Sequence, residues 1–413
     1  MIEATLSHAD AAARHWEFIV IGAGPGGSAT ALRLAHAGRS VLLVDRGGMP
    51  RPKVCGCCLS ATALHELAAL EVFSKDGPLP VPLKAVRIVA GGRVARVPLG
   101  GATLSRETLD TSLVKLAIEA GAHWLPELSV TSLADAADGV CLTGRAVGAE
   151  ATTSIACDHA VIASGLTDHV RVGSADPPVA GGSHPLKSQR TVAISSRIGV
   201  GATLPADASD LPAGELVMAV GRGGYVGIVR LEDGRIDIAA AIDRGTIAAA
   251  GQPADAIAVL LAESLDGSGM RVSTAALRAA DMRATPPLTH RSPLVAGVHA
   301  RIFRIGDAAG YVEPFTGEGM GWALANARIF VAAAHAADRP HVMADHYRLS
   351  HARLFSAHHA RCRGVARAVR HPWLVSGAVR LARLAPRIAA HVLPLLVGAP
   401  AAGSFPDTEE FAA

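Results

Sequence analysis

The feature that most constrains this chain lies near its amino end, where a glycine-rich turn joins an apolar run to a helical stretch. The apolar run covers residues 18–21, the turn reads G-A-G-P-G-G over residues 22–27, and an Ala- and Leu-rich stretch follows to His36. A second apolar run, Val41–Val44, ends at Asp45. Strand, turn, helix and strand within about thirty residues make one βαβ unit with a right-handed crossover. The pattern predicts a buried parallel layer of an α/β fold.

The turn has the residues that a dinucleotide requires. Gly22 permits the tight turn, Gly24 lets the backbone approach a pyrophosphate, and Gly27 lets helix and strand pack closely. The N-terminus of the following helix offers free N–H groups and the positive end of its dipole to the phosphates. Asp45, just past the second strand, would accept hydrogen bonds from a ribose. We therefore predict a dinucleotide-binding layer, and at this point NAD and FAD both remain open.

Composition excludes several classes of protein. Of the 413 residues, 50% are hydrophobic and 18% are charged, which is too apolar for a disordered chain. A net charge of +3 does not require a nucleic-acid partner, and six cysteines are too few for a disulfide scaffold. The sequence has neither the pattern of a signal peptide nor that of a membrane span. We expect a soluble, cytoplasmic protein.

The pattern of apolar residues changes along the rest of the chain. Helical spacing predicts a helix over residues 106–120, and several short β runs over residues 191–243 predict a mostly antiparallel sheet. A buried strand is predicted over residues 301–305 and a helix over residues 319–337. Further helices, interrupted by prolines, are predicted to about residue 397. This second sheet would be separate from the βαβ layer.

A long segment after the predicted strand at 301–305 distinguishes between the two nucleotides. It reads R-I-G-D-A-A-G-Y-V-E-P-F-T-G-E-G-M over residues 304–320. This segment resembles the second flavin fingerprint of the FAD-dependent oxidoreductases that include p-hydroxybenzoate hydroxylase and geranylgeranyl reductase, and it is most similar to the reductase branch. The resemblance implies that Asp307 holds the ribityl hydroxyls of FAD. It also implies that Gly319 and Met320 present backbone N–H groups to the pyrimidine edge of the flavin, where a helix N-terminus stabilises negative charge.

Three more segments are similar to the same family. Arg106 occupies the place of an arginine that reaches the flavin, and Val130 follows a turn whose counterpart lies against the adenine. Residues 51–60 resemble the Lys-Val-Cys-Gly segment of the reductase branch, which lies along the isoalloxazine. The motifs and the resemblance together imply a set of cofactor-binding residues: Gly22, Gly24, Pro25, Gly26, Gly27, Asp45, Arg46, Cys55, Gly56, Cys57, Arg106, Val130, Gly306, Asp307, Pro314, Gly317, Gly319 and Met320.

The resemblance also implies how the chain is divided. We expect a Rossmann-like FAD-binding domain, an inserted, mostly antiparallel β-sheet substrate domain, a helical C-terminal region and a flexible tail. The substrate cavity would lie between the two domains. The expected ranges are 16–80, 100–165 and 290–335 for the FAD-binding domain, 81–99 and 166–289 for the substrate domain, 336–397 for the helices and 398–413 for the tail.

The chain departs from these relatives at two motifs. Ser164 and Asp168 stand where the hydroxylase branch has an acid and a serine, in a motif linked to FAD and NAD(P)H binding. Electrons could therefore come from NAD(P)H or from a separate reductase or reduced ferredoxin. Of the Tyr-x-Trp-x-Phe-Pro segment that lines the prenyl tunnel of geranylgeranyl reductases, only Tyr225 remains. The Trp-x-Trp-x-Ile-Pro signature of flavin halogenases is absent, so we do not expect halogenation.

The altered tunnel segment favours oxygenation. We expect a monooxygenase that hydroxylates or epoxidises an apolar or aromatic, lipid- or polyketide-like molecule through a flavin C4a-hydroperoxide. One alternative is a reductase of C=C bonds in an isoprenoid or other unsaturated chain, similar to geranylgeranyl reductase. Another is a non-catalytic flavoprotein that binds lipid or transfers electrons. The catalytic acid or base is not assigned, and the candidates are Cys55, Tyr225 and His184.

Two further features have more than one interpretation. Cys55, Cys57 and Cys58 could place a thiol beside the flavin, whereas Cys57 and Cys58 could simply be small buried side chains. A dithiol relay is not expected, because the cysteine pair of disulfide oxidoreductases is spaced more widely and those enzymes need a second nucleotide domain that this sequence lacks. The arginine-rich helical tail could lie on an anionic membrane surface or pack as a solvated face on the flavin domain. No metal site is predicted, because the adjacent His358 and His359 point apart on a helix.

Overall fold

The computed structural model describes residues 1–74, 77–167, 169–174, 190–313, 315, 317–337 and 339–384. Within these ranges it contains ten α-helices and 22 strands. The helices are α1 His8–Ala12, α2 Pro25–His36, α3 Ala61–Ala68, α4 Arg106–Glu119, α5 Arg244–Ala250, α6 Pro253–Leu265, α7 Thr274–Ala279, α8 Gly319–Ala336, α9 Pro340–Ala368 and α10 Pro372–Leu384. The strands are β1 His15–Ile21, β2 Val41–Val44, β3 Cys58–Leu59, β4 Val81–Pro82, β5 Ala85–Ala90, β6 Arg93–Pro98, β7 Ala102–Thr103, β8 His123–Leu125, β9 Leu128–Asp135, β10 Val140–Ala146, β11 Thr152–Ile162, β12 Arg171–Ser174, β13 Thr191–Val192, β14 Ile198–Leu204, β15 Glu215–Gly221, β16 Gly224–Arg230, β17 Ile236–Ile242, β18 Arg283–Pro287, β19 His290–Arg291, β20 Val295–Ala296, β21 Ile302–Arg304 and β22 Gly310–Tyr311.

The predicted βαβ unit forms the centre of the first sheet. Strand β1 lies between β2 and β11 and is parallel to both, and β8 and β21 continue the parallel order on either side. All four residues of β2 are buried, as expected for a parallel strand with helices on its faces. The strand β11 is long enough to pair with β21 near its end and with the antiparallel β10 near its start. The parallel strands therefore bring their carboxyl ends to one edge.

The second sheet is antiparallel except for one pair. Its order is β18-β14-β17-β16-β15-β5-β6, and only β15 and β5 run parallel. Because side chains alternate along a strand, its two faces bury different clusters. One face packs on α6 and the other on α10. Tyr225, in β16, lies on the same face as α10 and the cysteines that precede and begin β3.

Helices α8 and α9, near the carboxyl end, pack on the first sheet. The predicted helices over residues 106–120 and 319–337 are confirmed as α4 and α8. In α9, the hydroxyl of Tyr347 lies 2.6 Å from the carbonyl oxygen of Arg304 and 2.7 Å from Oδ1 of Asn326. This joins α9 to both β21 and α8.

Among the described residues, no single helix is both long and apolar enough to cross a membrane. The pair α5 and α6, bent by 101° at its break, meets that criterion only when its two members are taken together.

Candidate functional site

The glycine-rich turn after β1 forms a cradle with one open position. The backbone of Gly22 has φ +109°, and a Cβ there would lie 2.5 Å from the carbonyl oxygen of Ala163. A Cβ on Gly27 would overlap the carbonyl oxygen of Gly22. A Cβ on Gly24, in contrast, would meet only Nη2 of Arg106, at 3.6 Å. Packing inside the protein therefore requires Gly22 and Gly27, whereas Gly24 leaves room for a ligand.

Positive charge surrounds this open position. Helix α2 begins at Pro25, and no side chain caps its first N–H groups. The guanidinium of Arg106 donates to both carboxylate oxygens of the buried Asp110, at 2.8 and 2.7 Å. Burial alone would lower the pKa of Arg106, but Asp110 raises it well above its usual value. Free N–H groups and a fixed cation beside an open glycine suit a pyrophosphate.

Asp45 follows β2 directly, as predicted, but protein groups already bind its carboxylate. It accepts hydrogen bonds from the backbone N–H of Ala23 at 2.7 Å and of Gly47 at 3.1 Å, and it forms a two-pronged ion pair with Arg51. Burial would raise the pKa of Asp45, but these bonds lower it. A ribose bound here would either share the carboxylate of Asp45 with Arg51 or displace Arg51 from it. Arg51 thus lies at the ribose end, although the sequence places its segment along the isoalloxazine.

The other residues predicted at the adenosine end lie near Asp45 along the chain or in the sheet. Arg46 is exposed and makes no hydrogen bond or ion pair with the residues that the structure describes. Val130 is half-buried in β9, opposite Gly144. Two residues before it, the N–H of Leu128 donates to the carbonyl oxygen of Asp45 at 2.9 Å.

The loop between β2 and β3 brings thiols next to Arg106. A hydrogen bond with Cys57 and the nearby guanidinium of Arg106 lower the pKa of Cys55, although burial opposes this change. Cys57 adopts a left-handed backbone with φ +50°, and burial raises the pKa of the Cys58 thiol. Cys55 is therefore the cysteine of this loop that most readily becomes a thiolate. All three cysteines are free.

Asp307 follows β21 and lies near both Arg106 and Cys55. Its carboxyl group makes no hydrogen bond or ion pair within the described part of the chain. Burial raises its pKa to about 7; Arg106 opposes this shift and Cys55 adds to it. A half-buried carboxyl group without a protein partner is suited to accept hydrogen bonds from hydroxyl groups of a ligand. This agrees with the ribityl contact that the resemblance implies for Asp307.

The N-terminus of α8 is also free of side-chain caps. The helix begins at Gly319, and its N-cap residue, Glu318, makes no capping hydrogen bond. Gly317 has φ +74°, and a Cβ there would lie 2.9 Å from Cβ of Cys58, so this loop is pressed against the cysteine loop. Met320 is buried in the first turn. The free N–H groups and the helix dipole suit the pyrimidine edge of a flavin.

A buried ion pair next to Tyr225 has no signal in the sequence. Arg197, 1% exposed, donates to Glu313 at 3.2 Å and to Asp243 at 3.3 Å. Its guanidinium carbon lies 5.5 Å from the ring centre of Tyr225, and that ring makes an edge contact with Phe315. Burial raises the pKa of Tyr225, and Glu313 raises it further. Arg197 belongs to no sequence motif, so its role in a buried ion pair can be recognised only from the structure.

The structure therefore brings most of the predicted cofactor residues to one region. The glycine turn, Arg106, Cys55 and Asp307 lie together, and the loop before α8 packs on the cysteine loop. The open cradle and the uncapped N-terminus of α2 fit the pyrophosphate of FAD. The unpaired carboxyl group of Asp307 fits the ribityl hydroxyls, and the uncapped N-terminus of α8 fits the pyrimidine edge. His184 and Pro314, which the sequence also singles out, lie outside the described residues.

Comparisons with known proteins show that the chain is related to oxidoreductases. The chain matches the family model described as pyridine nucleotide-disulphide oxidoreductase over residues 16–228, just over half of its length. It is 28% identical over 328 residues to a menaquinone reductase of Mycolicibacterium smegmatis, which covers 76% of this chain and 75% of the relative. It is 34% identical over 137 residues to digeranylgeranylglycerophospholipid reductase 1 of Methanopyrus kandleri, about a third of each chain.

Two solved structures share the fold. A geranylgeranyl bacteriochlorophyll reductase-like protein of Thermoplasma acidophilum is 17% identical, with a TM-score of 0.69 over 92% of this chain and 99% of that chain. The flavin-dependent brominase Bmp2 is 17% identical, with a TM-score of 0.68 over 93% and 94% of the two chains. The chain belongs to the pyridine nucleotide-disulphide oxidoreductase family and is an FAD-dependent oxidoreductase that is similar in sequence to menaquinone and digeranylgeranylglycerophospholipid reductases.

Proposed function

We propose that this oxidoreductase reduces a carbon–carbon double bond in the isoprenoid chain of a lipid or quinone. The main observation behind the proposal is the similarity to a menaquinone reductase over three quarters of both chains. The shorter similarity to a digeranylgeranylglycerophospholipid reductase points in the same direction. Both relatives are reductases, so the comparisons favour reduction over the oxygenation that the altered tunnel segment suggests.

The side chains beside the cofactor residues suit an apolar substrate. One face of the second sheet shares a continuous apolar cluster with the cysteine loop and with the aromatic rings of Tyr225, Tyr311 and Phe315. Aliphatic side chains of β5, β15 and α10 complete the cluster. An isoprenoid chain in contact with this surface would leave water without exposing polar groups of the protein.

The protein's own groups have distinct tasks in such a reaction. FAD, when bound and reduced by an electron donor, would supply the hydride equivalent. The N-terminus of α2 and Arg106 would hold the pyrophosphate, Asp307 the ribityl hydroxyls, and the N-terminus of α8 the pyrimidine edge. Reduction of the double bond also requires a proton. Of the two candidates, Tyr225 keeps its proton at neutral pH because burial raises its pKa, whereas the lowered pKa of Cys55 favours loss of the proton. The raised pKa also makes Tyr225 a weak acid, so it would give up its proton only to a carbon atom on which negative charge has developed.

The proposal can be tested with chemically reduced enzyme. The FAD-loaded protein, reduced with dithionite under argon, is mixed with menaquinone or with a digeranylgeranyl lipid, and the products are analysed by mass spectrometry. Because dithionite also reduces the quinone ring itself, the products are reoxidised in air before analysis, and we then expect the mass to rise by two hydrogens for each reduced double bond, with no rise when dithionite and substrate are mixed without enzyme. Dithionite needs no docking site, so the test does not depend on whether NAD(P)H or a separate protein is the natural donor. Oxidised enzyme is the control.

Two other results would contradict the proposal. A product that gains one oxygen atom, and forms only in air, would identify a monooxygenase. Tight binding of the lipid with no change of mass in either atmosphere would identify a lipid-binding or electron-transfer flavoprotein.

A further inference from the structure

The last described helix, α10, has two apolar sides. Its inner side packs on the second sheet, where it joins the cluster that reaches the cysteine loop. Its outer side is open to solvent: Trp373 is 70% exposed and Leu384 is 74% exposed. Side chains three, four and seven residues apart share one side of a helix. The inner side chains are Val375, Val379 and Ala382, and the outer large side chains are Trp373, Leu374, Leu381 and Leu384.

Such an outer side is unusual for a water-facing helix. Isolated exposed leucines are common on protein surfaces, but several large apolar side chains within about three turns form a patch that marks a contact surface. Helix α10 is 13 residues long, too short to cross a bilayer. It has the form of a helix that lies in an interface.

The charge around α10 indicates what it contacts. Residues 339–384 contain nine arginines and a single acidic residue, Asp345. Arg370 is occupied within the protein, where it pairs with Asp243 at 3.1 Å. Other arginines of α9 and α10 make no ion pair with any residue in the described ranges, so their charge is free for an external anion. These are Arg353, Arg363, Arg367 and Arg380.

We propose that α10 docks this protein on the surface of a bilayer that contains anionic phospholipids. Trp373 would lie at the headgroup level, the outer leucines would enter the boundary of the acyl chains, and the free arginines would meet lipid phosphates. The inner side of α10 belongs to the same apolar cluster as Cys57, Cys58 and Tyr225. The docked surface and the cofactor region therefore share one continuous apolar layer. The inference rests on exposure and charge and does not depend on the proposed reaction.

Vesicle flotation tests the docking directly. The full, FAD-loaded chain is mixed with vesicles of phosphatidylcholine alone or with added phosphatidylglycerol, at low and high salt. We expect flotation with the phosphatidylglycerol vesicles. Flotation should be largely lost at about 1 M salt, because the Debye length there falls to about 3 Å. Tryptophan fluorescence should shift to the blue on binding. The Trp373→Phe variant should lose most of this shift, because Trp16 and Trp124 are buried and Trp322 is half-buried in α8.

Matched variants separate α10 from the rest of the surface. Leu381→Glu with Leu384→Glu should weaken partitioning by about tenfold or more, since two side chains no longer enter the acyl boundary. Leu79→Glu is the control, because Leu79 is 72% exposed but lies outside α10, and it should leave binding unchanged. Arg367→Gln and Arg380→Gln should each weaken binding by roughly fivefold. The FAD content of every variant should match that of the parent, because these side chains are exposed.

Three results would overturn the inference. The first is a parent protein that does not float with anionic vesicles. The second is a Leu79→Glu variant that loses as much binding as the Leu381→Glu, Leu384→Glu variant. The third is a parent protein that sediments as a dimer and does not bind vesicles, together with a Leu381→Glu variant that sediments as a monomer. A second copy of the chain would then cover the outer side of α10. Failure of the double-bond reduction assay, run with detergent-dispersed substrate, would leave these binding results unaffected.

Discussion

Gly24 and Gly27 belong to the same turn, but they are needed for different reasons. The space next to Gly24 is open up to Arg106, whereas the space next to Gly27 is filled by the backbone of Gly22. The backbone of Gly24 is extended, with φ −82°, and is accessible to alanine. A substitution at Gly24 therefore tests cofactor binding, whereas a substitution at Gly27 tests the stability of the fold. Similar reasoning applies to Cys55, whose titration depends on its immediate neighbours.

We expect Gly24→Ala to leave the FAD-free protein folded and to weaken FAD binding by about tenfold or more, because the new methyl group enters the space for the pyrophosphate. The matched variant Gly27→Ala should lower the melting temperature of the FAD-free protein, because its Cβ overlaps backbone that cannot move freely. Fluorescence titration with FAD and thermal unfolding measure the two effects. Unchanged FAD affinity in Gly24→Ala would contradict the assignment of the cradle.

Cys55 should react as a thiolate at lower pH than an ordinary cysteine. Its pKa is lowered to about 6, so the thiolate fraction should rise through that pH rather than near about 8.5. The measurement is the rate of alkylation against pH before FAD is added, in a Cys141→Ser background that removes the exposed thiol. Cys57→Ala, which removes the hydrogen bond to Cys55, should move the midpoint to higher pH. A midpoint that does not move would show that Cys57 has no part in the shift.

At the level of elements, a buried ion pair connects the second sheet to the loop before α8. Arg197 precedes β14 by one residue, and Glu313 lies 116 positions further along the chain. Both side chains are almost fully buried. Leaving one member of such a pair alone costs more than replacing both, because the remaining charge loses its partner away from water. The pair therefore specifies how the loop docks on the sheet.

We expect Arg197→Met to destabilise the FAD-free protein by about 3 kcal/mol, since it leaves Glu313 buried without its cation. Adding Glu313→Leu in the same chain should recover part of this loss. Urea unfolding of the two single variants and the double variant measures the coupling energy. If the losses of stability in the two single variants simply add in the double variant, Arg197 and Glu313 are not coupled. The proposed role of this pair in docking the loop would then be wrong.

At the level of the whole molecule, FAD would join segments that are far apart in the sequence. The phosphate cradle follows β1, whereas Asp307 and the N-terminus of α8 come after β21. In the fold, β11 separates β1 from β21 in one parallel sheet, so the two segments end at the same edge. A ligand held by both ends of the chain should stabilise the entire fold rather than one loop.

FAD should therefore raise the global stability of the protein. At a FAD concentration about 100 times its Kd, we expect the free energy of unfolding to increase by about 2.7 kcal/mol. Gly24→Ala at the same FAD concentration should gain much less. The measurement is the denaturant midpoint with and without FAD. A midpoint that does not respond to FAD in the parent protein would contradict the site as a whole.

The sequence alone determined the local elements and the cofactor motifs. Apolar runs, glycine positions and helical spacing are short-range signals, and they were sufficient for β1, α2, β2, α4 and α8. The role of Asp307 came instead from the family resemblance, and the structure places this residue near Arg106 and Cys55. The preferred reaction was less well predicted, because loss of the tunnel motif changes the shape of a pocket without identifying the chemistry. The comparisons favour reduction instead.

Only the tertiary structure decided which distant side chains became partners. It paired Arg51 with Asp45 and Arg197 with Glu313, and it divided α10 into an inner and an outer side. The physical reason is that burial and ion pairing depend on how the sheets and helices stack. Stacking brings together residues more than a hundred positions apart, and no pattern within a local window of sequence records it.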